Sequence, residues 1–393
     1  MSPPLKVGLL WHSASSGNLG VGALTLANMA VARAAATDLG LELEFQVIGM
    51  RDDDARYISS DQASVFAIDT ASLLIPTGSW KSINSQDCVL DIGGGDSFAE
   101  VYGLKRFMFL WLTKMQAILG GTPLLLSPQT IGPFTRQPYI GMAKVALERA
   151  TTVVARDAVS LQFLKTLAPQ ARAVQSVDVA FALPYQDLTS RRNEARPTIG
   201  VNVSGLLFNE ALRGTNRFGL DYDYAEVVRG LLAHLTARSD LEVRLLTHVR
   251  SKAGGIDDDG PVADLLAQEF PGAVRVADFS GPSEAKSFIS GLDFLIAGRM
   301  HACIAAFSAG TPVIPMAYTR KFSGLFGMLD YPWMVPFKGM AASEALTFLV
   351  AQIGLRGELR VAEAAGMAKV SAYLDAYRAE LRSFFAIASA RLK

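Results

Sequence analysis

Short apolar runs that end in Gly, Asn, Asp or Ser alternate with helix-length segments along almost the whole chain. In the first half, residues 6–11, 41–48, 87–92, 123–127 and 151–155 read as strands. Residues 23–39, 104–119, 140–149 and 158–167 read as helices between them. The strand runs are continuously apolar rather than alternating, which implies burial on both faces, and strands separated by helices imply a parallel sheet. A polar stretch over 184–197, PYQDLTSRRNEARP, interrupts this pattern and reads as a linker. The alternation then resumes, with strands expected over 198–203, 242–247, 274–279, 293–297 and 312–316. The helices here fall over 224–236, 262–269, 284–291, 301–309 and 321–329. The expected fold is α/β: a Rossmann-like domain over 1–185 and a second over 196–341, facing across a cleft. Terminal helices follow over 342–393. In such sheets ligands gather at the carboxyl ends of the strands, so the motifs that close strands matter most.

Length and composition are consistent with two buried cores: 393 residues, 50% of them hydrophobic and 19% charged. The 37 basic and 37 acidic residues cancel, which argues against a nucleic-acid-binding face. Cys88 and Cys303 lie far apart in apolar runs and read as buried thiols. Without a CxxC or Cys/His cluster, no zinc site or disulfide framework is expected. The apolar stretch 7–11 is too short for a signal-peptide core, and the longest later candidate, 107–119, is broken by Thr113 and Lys114. The expectation is a cytoplasmic protein with no transmembrane segment, meeting any membrane-borne substrate peripherally at the inner membrane face.

Four strand-closing motifs carry the candidate chemistry. Gly17-Asn18-Leu19-Gly20-Val21-Gly22 lies between the first strand and a long helix; it is either a tight turn or a place where backbone amides approach a ligand, and its spacing is not the dinucleotide fingerprint. Asp91-Ile92-Gly93-Gly94-Gly95-Asp96-Ser97 pairs a sharp glycine bend with two carboxylates. These suit sugar hydroxyls or general base work, against a plain turn with Asp96 as a helix cap. Ser127-Pro128-Gln129-Thr130-Ile131-Gly132-Pro133 and Ala155-Arg156-Asp157 close the next strands, as binding loops or as turn and salt-bridge chemistry. Most weight falls on Ala297-Gly298-Arg299-Met300-His301, where a planar guanidinium fork and a titratable imidazole stand at a helix start, a favourable place for an anion. His248 closes another strand and His12 follows the first; both are cleft candidates, whereas His234 sits inside a helix.

At these residues the chain resembles the polysaccharide pyruvyl transferase family. The resemblance rests on Gly17-Asn18-Leu19-Gly20, Asp91 to Gly95, Ser127 to Pro133, Ala155-Arg156-Asp157, Arg299-Met300-His301 and Tyr318-Thr319-Arg320-Lys321-Phe322, in matching order from about residue 7 to 330. It implies a fold similar to the glycosyltransferase B type. The implied reaction is transfer of an enolpyruvyl-derived group from phosphoenolpyruvate to a sugar, forming a pyruvate ketal. The implied roles are His301 as catalytic acid and Arg299 and Lys321 on the donor; the residues' own reading adds Asp91 or Asp96 as base, and His248 with Arg213 or Arg217 on the donor. Asn18, Gly94, Gly95, Gln129, Thr130 and Arg156 would line the acceptor side or the cleft. The partners are phosphoenolpyruvate and a saccharide acceptor, free or lipid-linked; no metal and no cofactor is implied. One departure is Val21-Gly22-Ala23, where many members carry an acidic residue. Two rivals stand beside this reading: a nucleotide-sugar-dependent glycosyltransferase or epimerase of the same fold, and a non-catalytic carbohydrate-binding protein.

Overall fold

The continuous apolar runs become two wholly parallel sheets. The computed structural model describes residues 3–52, 54, 56–251 and 254–392. Its packing falls into two units. The first comprises the chain up to Ser16, Leu24–Leu183 and the residues from Val370 on; the second comprises Gly17–Ala23 and Pro184–Lys369. The expected third group, 342–393, is therefore divided between the two, because its last helix is long enough to serve both cores.

In the first unit the strands are β1 (Leu5–Leu10), β2 (Leu43–Met50), β3 (Ser64–Ile68), β4 (Cys88–Asp91), β5 (Leu124–Gln129), β6 (Thr152–Ala155) and β7 (Ala173–Gln175). Their order, β3-β2-β1-β4-β5-β6-β7, reverses direction between β1 and β4. The helices are α1 (Leu19–Thr37), whose start belongs to the second unit, α2 (Thr70–Leu74), α3 (Lys81–Asn84), α4 (Gly103–Leu119), α5 (Tyr139–Arg149) and α6 (Ala158–Leu167). The core joins Leu10, Ile48, Val89, Leu124, Leu126 and Val153 on the strands to Phe107, Leu110, Ala143 and Leu147 on α4 and α5. Among the described residues α1 is the one helix long and apolar enough to cross a membrane, and 67% of its most apolar window is buried.

The second unit repeats the plan with β8 (Thr198–Asn202), β9 (Glu242–Leu246), β10 (Ala273–Arg275), β11 (Phe294–Ala297) and β12 (Val313–Pro315), in the order β10-β9-β8-β11-β12. Its helices are α7 (Gly205–Leu212), α8 (Tyr224–Thr236), α9 (Asp259–Glu269), α10 (Pro282–Ser290), α11 (Met300–Ser308), α12 (Arg320–Met328), α13 (Ala342–Ile353) and the first part of α14 (Arg356–Ala390). Here the order reverses between β8 and β11. In open parallel sheets that reversal opens a crevice at the strand ends.

Candidate functional site

The reversal between β8 and β11 is where the second unit gathers its polar side chains. Asn202, the last residue of β8, receives the backbone N–H of Arg299 on its side-chain oxygen (3.1 Å) and that of Gly298 on its carbonyl (3.0 Å). This pins the start of α11 beside β8. The Arg299 guanidinium does not present an open fork: Nε and Nη2 donate to Asp259 (3.1 and 2.5 Å), Nη1 to the Asp257 carboxylate (2.7 Å) and Nη2 to the Asp257 carbonyl (2.6 Å). Four of its five N–H groups are thus engaged within the chain, and the residue is 7% exposed. Burial works against its charge, yet the neighbouring carboxylates of Asp259 and Asp257 outweigh that and hold its pKa above the ordinary value.

Asp259 is the centre of this arrangement. Fully buried, it also accepts the backbone N–H groups of Gly205 (2.8 Å), His248 (2.9 Å) and Val249 (2.9 Å). One carboxylate therefore ties together the chain after β8, after β9 and after β11. Sequence reading missed Asp257 and Asp259. The run Asp257-Asp258-Asp259 was a signal, since three acids before a helix exceed what capping needs.

The two histidines lie in this unit. His248 is buried, and burial, followed by the charges of His301 and Arg299, pushes its pKa down to about 3, so its imidazole is neutral. Its Nε2 is enclosed with no hydrogen-bond partner among the described residues. His301 sits in the first turn of α11, half-buried. The turn at Gly17–Gly20 folds against both histidines. Leu19 N–H donates to the His248 carbonyl (3.1 Å), Arg250 N–H donates to the Gly17 carbonyl (2.9 Å), and Asn18 bridges to Val249. A side chain at Gly20 would begin 2.3 Å from His301 Nδ1 and 2.7 Å from its Cγ, so glycine there is what lets the ring lie where it does. Asn18 turns its side-chain oxygen back onto Gly20 N–H (2.9 Å).

Tyr318 lies close enough to act on the Arg299 charge, and its ring meets Phe218 edge-on at 5.0 Å; Lys321 is exposed in the first turn of α12. Arg217 is exposed and pairs with Glu210 (3.1 Å), its guanidinium over the Phe218 ring.

The first unit holds the other expected residues at its own reversal, between β1 and β4. Gly93, Gly94 and Gly95 all take positive φ, which a side chain would strain. Asp91 is fully buried beneath them: it accepts Gly93 N–H (2.7 Å) and pairs with the equally buried Lys114 (2.8 Å). Burial raises the Asp91 pKa, with Lys114 opposing, so this carboxylate braces the turn and is closed to a sugar hydroxyl. Asp96 is the accessible one of the pair and accepts from the Tyr102 hydroxyl (2.8 Å). Gln129, also fully buried, donates to the Asp91 carbonyl (2.7 Å), and Thr130 N–H donates to the Gly95 carbonyl (2.9 Å). Arg156 pairs with Asp178 (2.9 Å), and its Nη1 would lie 3.4 Å from a side chain at Gly95. Arg106 donates to Ser97 (2.6 Å) beside Gly94.

His12 belongs to the interior instead. Its Nδ1 donates to the Leu10 carbonyl (3.1 Å), its Nε2 accepts from Asn28 (2.9 Å), and burial lowers its pKa to about 3. Tyr377 completes that network by donating to Asn28 (2.7 Å), with Ser127 3.0 Å away. Cys88 and Cys303 are buried free thiols, as expected. No group of three or more His, Cys, Asp or Glu among the described residues could hold a metal ion.

Comparison with known proteins adds to this geometry. The sequence model of the polysaccharide pyruvyl transferases matches residues 28–320. AmsJ, an amylovoran biosynthesis protein of Erwinia amylovora, is 24% identical over 270 residues; the match covers 64% of this chain and 61% of AmsJ, so the chain spans about three fifths of that relative's length. Among solved structures, HepE of Anabaena in complex with UDP-glucose superposes with a TM-score of 0.57 at 11% identity, covering 97% of this chain and 99% of HepE. The UDP-GlcNAc 2-epimerase of Neisseria meningitidis gives 0.56 at 9% identity, over 91% and 94% of the two chains. The spinosyn rhamnosyltransferase SpnG gives 0.50 at 13%, over 97% and 99%. At such identities the likeness is one of fold: the α/β type shared by B-type glycosyltransferases and sugar epimerases.

Proposed function

The chain belongs to the polysaccharide pyruvyl transferase family, and from that premise we propose that it transfers the enolpyruvyl-derived group of phosphoenolpyruvate to a sugar of a polysaccharide or its precursor, leaving a pyruvate ketal. The observation that carries this reading is the His248–His301 centre with glycine packed against His301. Burial holds the His248 imidazole neutral, and the role of proton donor is assigned to His301, in the first turn of α11.

In the proposed reaction His301 protonates the methylene carbon of the donor, and positive charge develops on the carbon bearing the phosphate ester. One acceptor hydroxyl attacks that carbon, its proton passing to a carboxylate, for which Asp96 is the accessible candidate. The bond to the phosphate oxygen breaks, the neighbouring hydroxyl closes the ketal, and the second hydroxyl proton leaves with phosphate. The donor's anionic groups are assigned to Lys321, the amides opening α11, the His248 Nε2–H and the remaining N–H of Arg299. Arg299 is then chiefly a positioning residue, holding α11 in register with the loop that carries Asp257 and Asp259. Asn18, Gly94, Gly95, Thr130 and Arg156 are kept as ligand-contact candidates, with Gln129 bracing the glycine turn.

The test is His301→Gln with phosphoenolpyruvate and candidate glycans, read by phosphate release and by the mass gain of the ketal. Turnover is expected to fall about a hundredfold, the usual yield of positioned acid–base catalysis, with donor affinity largely kept. A variant that keeps most of its turnover, or a wild-type rate that does not decline as pH rises past the imidazole range, overturns the assignment.

A further inference from the structure

The connection from α7 to α8, residues 213–223 of the second unit, is tied down along its length. The Glu210 carboxylate accepts the Arg217 N–H (2.9 Å), and its carbonyl accepts the Thr215 N–H (2.9 Å). Asn216 closes the next turn, donating to the Leu220 carbonyl (2.6 Å) and accepting the Leu220 N–H (2.8 Å). Asp221 accepts the Gly339 N–H (2.7 Å). Between this connection, α7 and the first residue of α8 lies a cavity of about 250 Å³. Tyr224 lines it with its hydroxyl so near Gly298 that no side chain has room there, so the cavity borders the start of α11. A cavity framed by such ties is preformed, which spares a ligand the entropy of ordering it.

Its lining is of two kinds. Leu207, Phe218, Leu220, Tyr222 and Tyr224 supply apolar and aromatic surface, and Glu210, Asp221 and Asp223 supply carboxylates. Among the described residues no lysine or arginine lines it. The nearby cations stand outside: Arg217 pairs with Glu210 (3.1 Å), Lys338 pairs with Asp221 (3.5 Å), and Arg213 is exposed at the end of α7. One group is left over. Tyr222 is 7% exposed, and its hydroxyl has no hydrogen-bond partner among the described residues. A buried hydroxyl without a partner destabilises a fold, so this one calls for a partner that comes from outside the chain. A sugar ring supplies it: C–H faces pack on aromatic rings, and hydroxyls both donate to carboxylates and meet a phenol. The phosphate and carboxylate of an anionic donor fit poorly, because they would face carboxylates. A nucleoside diphosphate fits poorly for the same reason, and the cavity falls below the range of about 300–1,000 Å³ usual for larger ligands.

We propose that the cavity between α7 and residues 213–224 is a subsite for one neutral sugar ring of the saccharide substrate, with the Tyr222 hydroxyl as a hydrogen-bond partner that helps select it. This rests on the saccharide acceptor of the transferase reading, yet none of the residues assigned to transfer lines the cavity, so binding here is measured without turnover. The full chain is titrated by saturation-transfer NMR with the methyl glycosides of glucose, galactose and mannose, each up to about 10 mM to cover the millimolar affinity expected of a single ring. UDP serves as the competing class. Two variants probe the wall. Ala211→Trp fills the cavity from a half-buried position on α7, and Tyr222→Phe deletes only the hydroxyl. The wild type is expected to bind at least one glycoside, Ala211→Trp to lose at least about tenfold in affinity and Tyr222→Phe about fivefold. The free Tyr222→Phe chain should melt no lower than wild type, because it lacks a buried group that the chain itself leaves unpaired. A wild type that binds none of the three glycosides overturns the proposal, as does equal binding by wild type and either variant. So does UDP that displaces the glycoside, or a Tyr222→Phe chain that melts lower. All of these leave the transferase reading standing. Glycoside binding that follows both variants, in a chain that releases no phosphate from phosphoenolpyruvate, upholds the subsite and fails that reading alone.

Discussion

Gly20→Ala separates the position of His301 from the stability of the fold. Gly20 lies in the first turn of α1, and it is not among the glycines with positive φ, so alanine suits its backbone. As a helix former, alanine gains up to about 1 kcal/mol over glycine. The new methyl, however, would sit 2.3 Å from His301 Nδ1, 2.7 Å from Cγ and 3.0 Å from Asn18 Oδ1. Non-bonded heavy atoms settle at roughly 3.5 Å, so the overlap with the ring is about 1 Å. Spinning the imidazole about its own axis gives no relief, because Cγ lies on that axis. The ring must swing away as a whole. A displacement of about 1 Å at a reacting group costs on the order of a hundredfold in rate, or about 2.7 kcal/mol of barrier. The helix gain and the clash oppose each other in stability, so the melting temperature should change little while turnover falls about a hundredfold. The assay is phosphate release at saturating phosphoenolpyruvate and acceptor, with a melting curve on the same preparation. Turnover within twofold of wild type at an unchanged melting temperature would refute the reasoning: the ring would then not be confined by Gly20, or not needed where it lies.

Three further outcomes follow from buried charge. Arg299→Lys keeps the charge but cannot span Asp257 and Asp259 together, so both stability and donor affinity should drop, by about 1.5–3 kcal/mol for each lost charged hydrogen bond; calorimetry of donor binding beside denaturant unfolding tells whether the two fall together. Lys114→Met strands Asp91 in the core and should cost about 3–5 kcal/mol at neutral pH, and less in acid where Asp91 can take up a proton; urea unfolding at pH 5 and pH 8 measures both. Glu363 is buried, and burial raises its pKa to about 8, while its carboxyl accepts the Val313 N–H (3.0 Å). The folded chain therefore binds this proton more tightly than the unfolded one. The stabilising contribution is full below the ordinary value of 4.5, shrinks as pH rises and is gone above about 8. Glu363→Gln keeps the acceptor and cannot ionise, so it should gain on wild type by a few kcal/mol between pH 6 and pH 9; parallel melts that keep a constant difference over that range would contradict this.

The fold was legible wherever burial was two-sided. The runs that became β1, β4, β5, β8 and β11 are continuously apolar because helices cover both faces, and the helices over 158–167 and 224–236 fall where the pattern puts them. Strand β3 escaped notice because its apolar run, residues 65–68, is only four residues long and belongs to a largely exposed edge strand. Helix α7, which a glycine opens, escaped as well. The strand-end motifs were legible as motifs, but their contacts were not. The pairing of Arg299 with Asp257 and Asp259, and the packing of Gly20 on His301, join segments that only the strand order brings side by side. For the same reason Asp91 and Asp96 looked equivalent in sequence; the partner Lys114, on another element, closes Asp91 in the core, whereas Asp96 meets the Tyr102 hydroxyl nearer the surface.

Each unit is completed by a segment from the far end of the chain, which bears on how such a protein can be divided or recombined. Helix α14 gives Glu363 to the second unit and Tyr377 to the first, while residues 17–23 leave the first unit's sequence to pack in the second. A fragment ending at the linker would lose the tyrosine that satisfies Asn28, leaving buried polar groups unpaired at a cost of about 1–3 kcal/mol each. A fragment of residues 184–369 would keep His248 and His301 but lack the glycine turn that packs against them. Gene exchange at the linker alone would therefore pair each half with a foreign plug. Productive chimaeras should carry four crossovers, at 16/17, 23/24, 183/184 and 369/370, so that residues 17–23 and the end of α14 travel with the unit they complete.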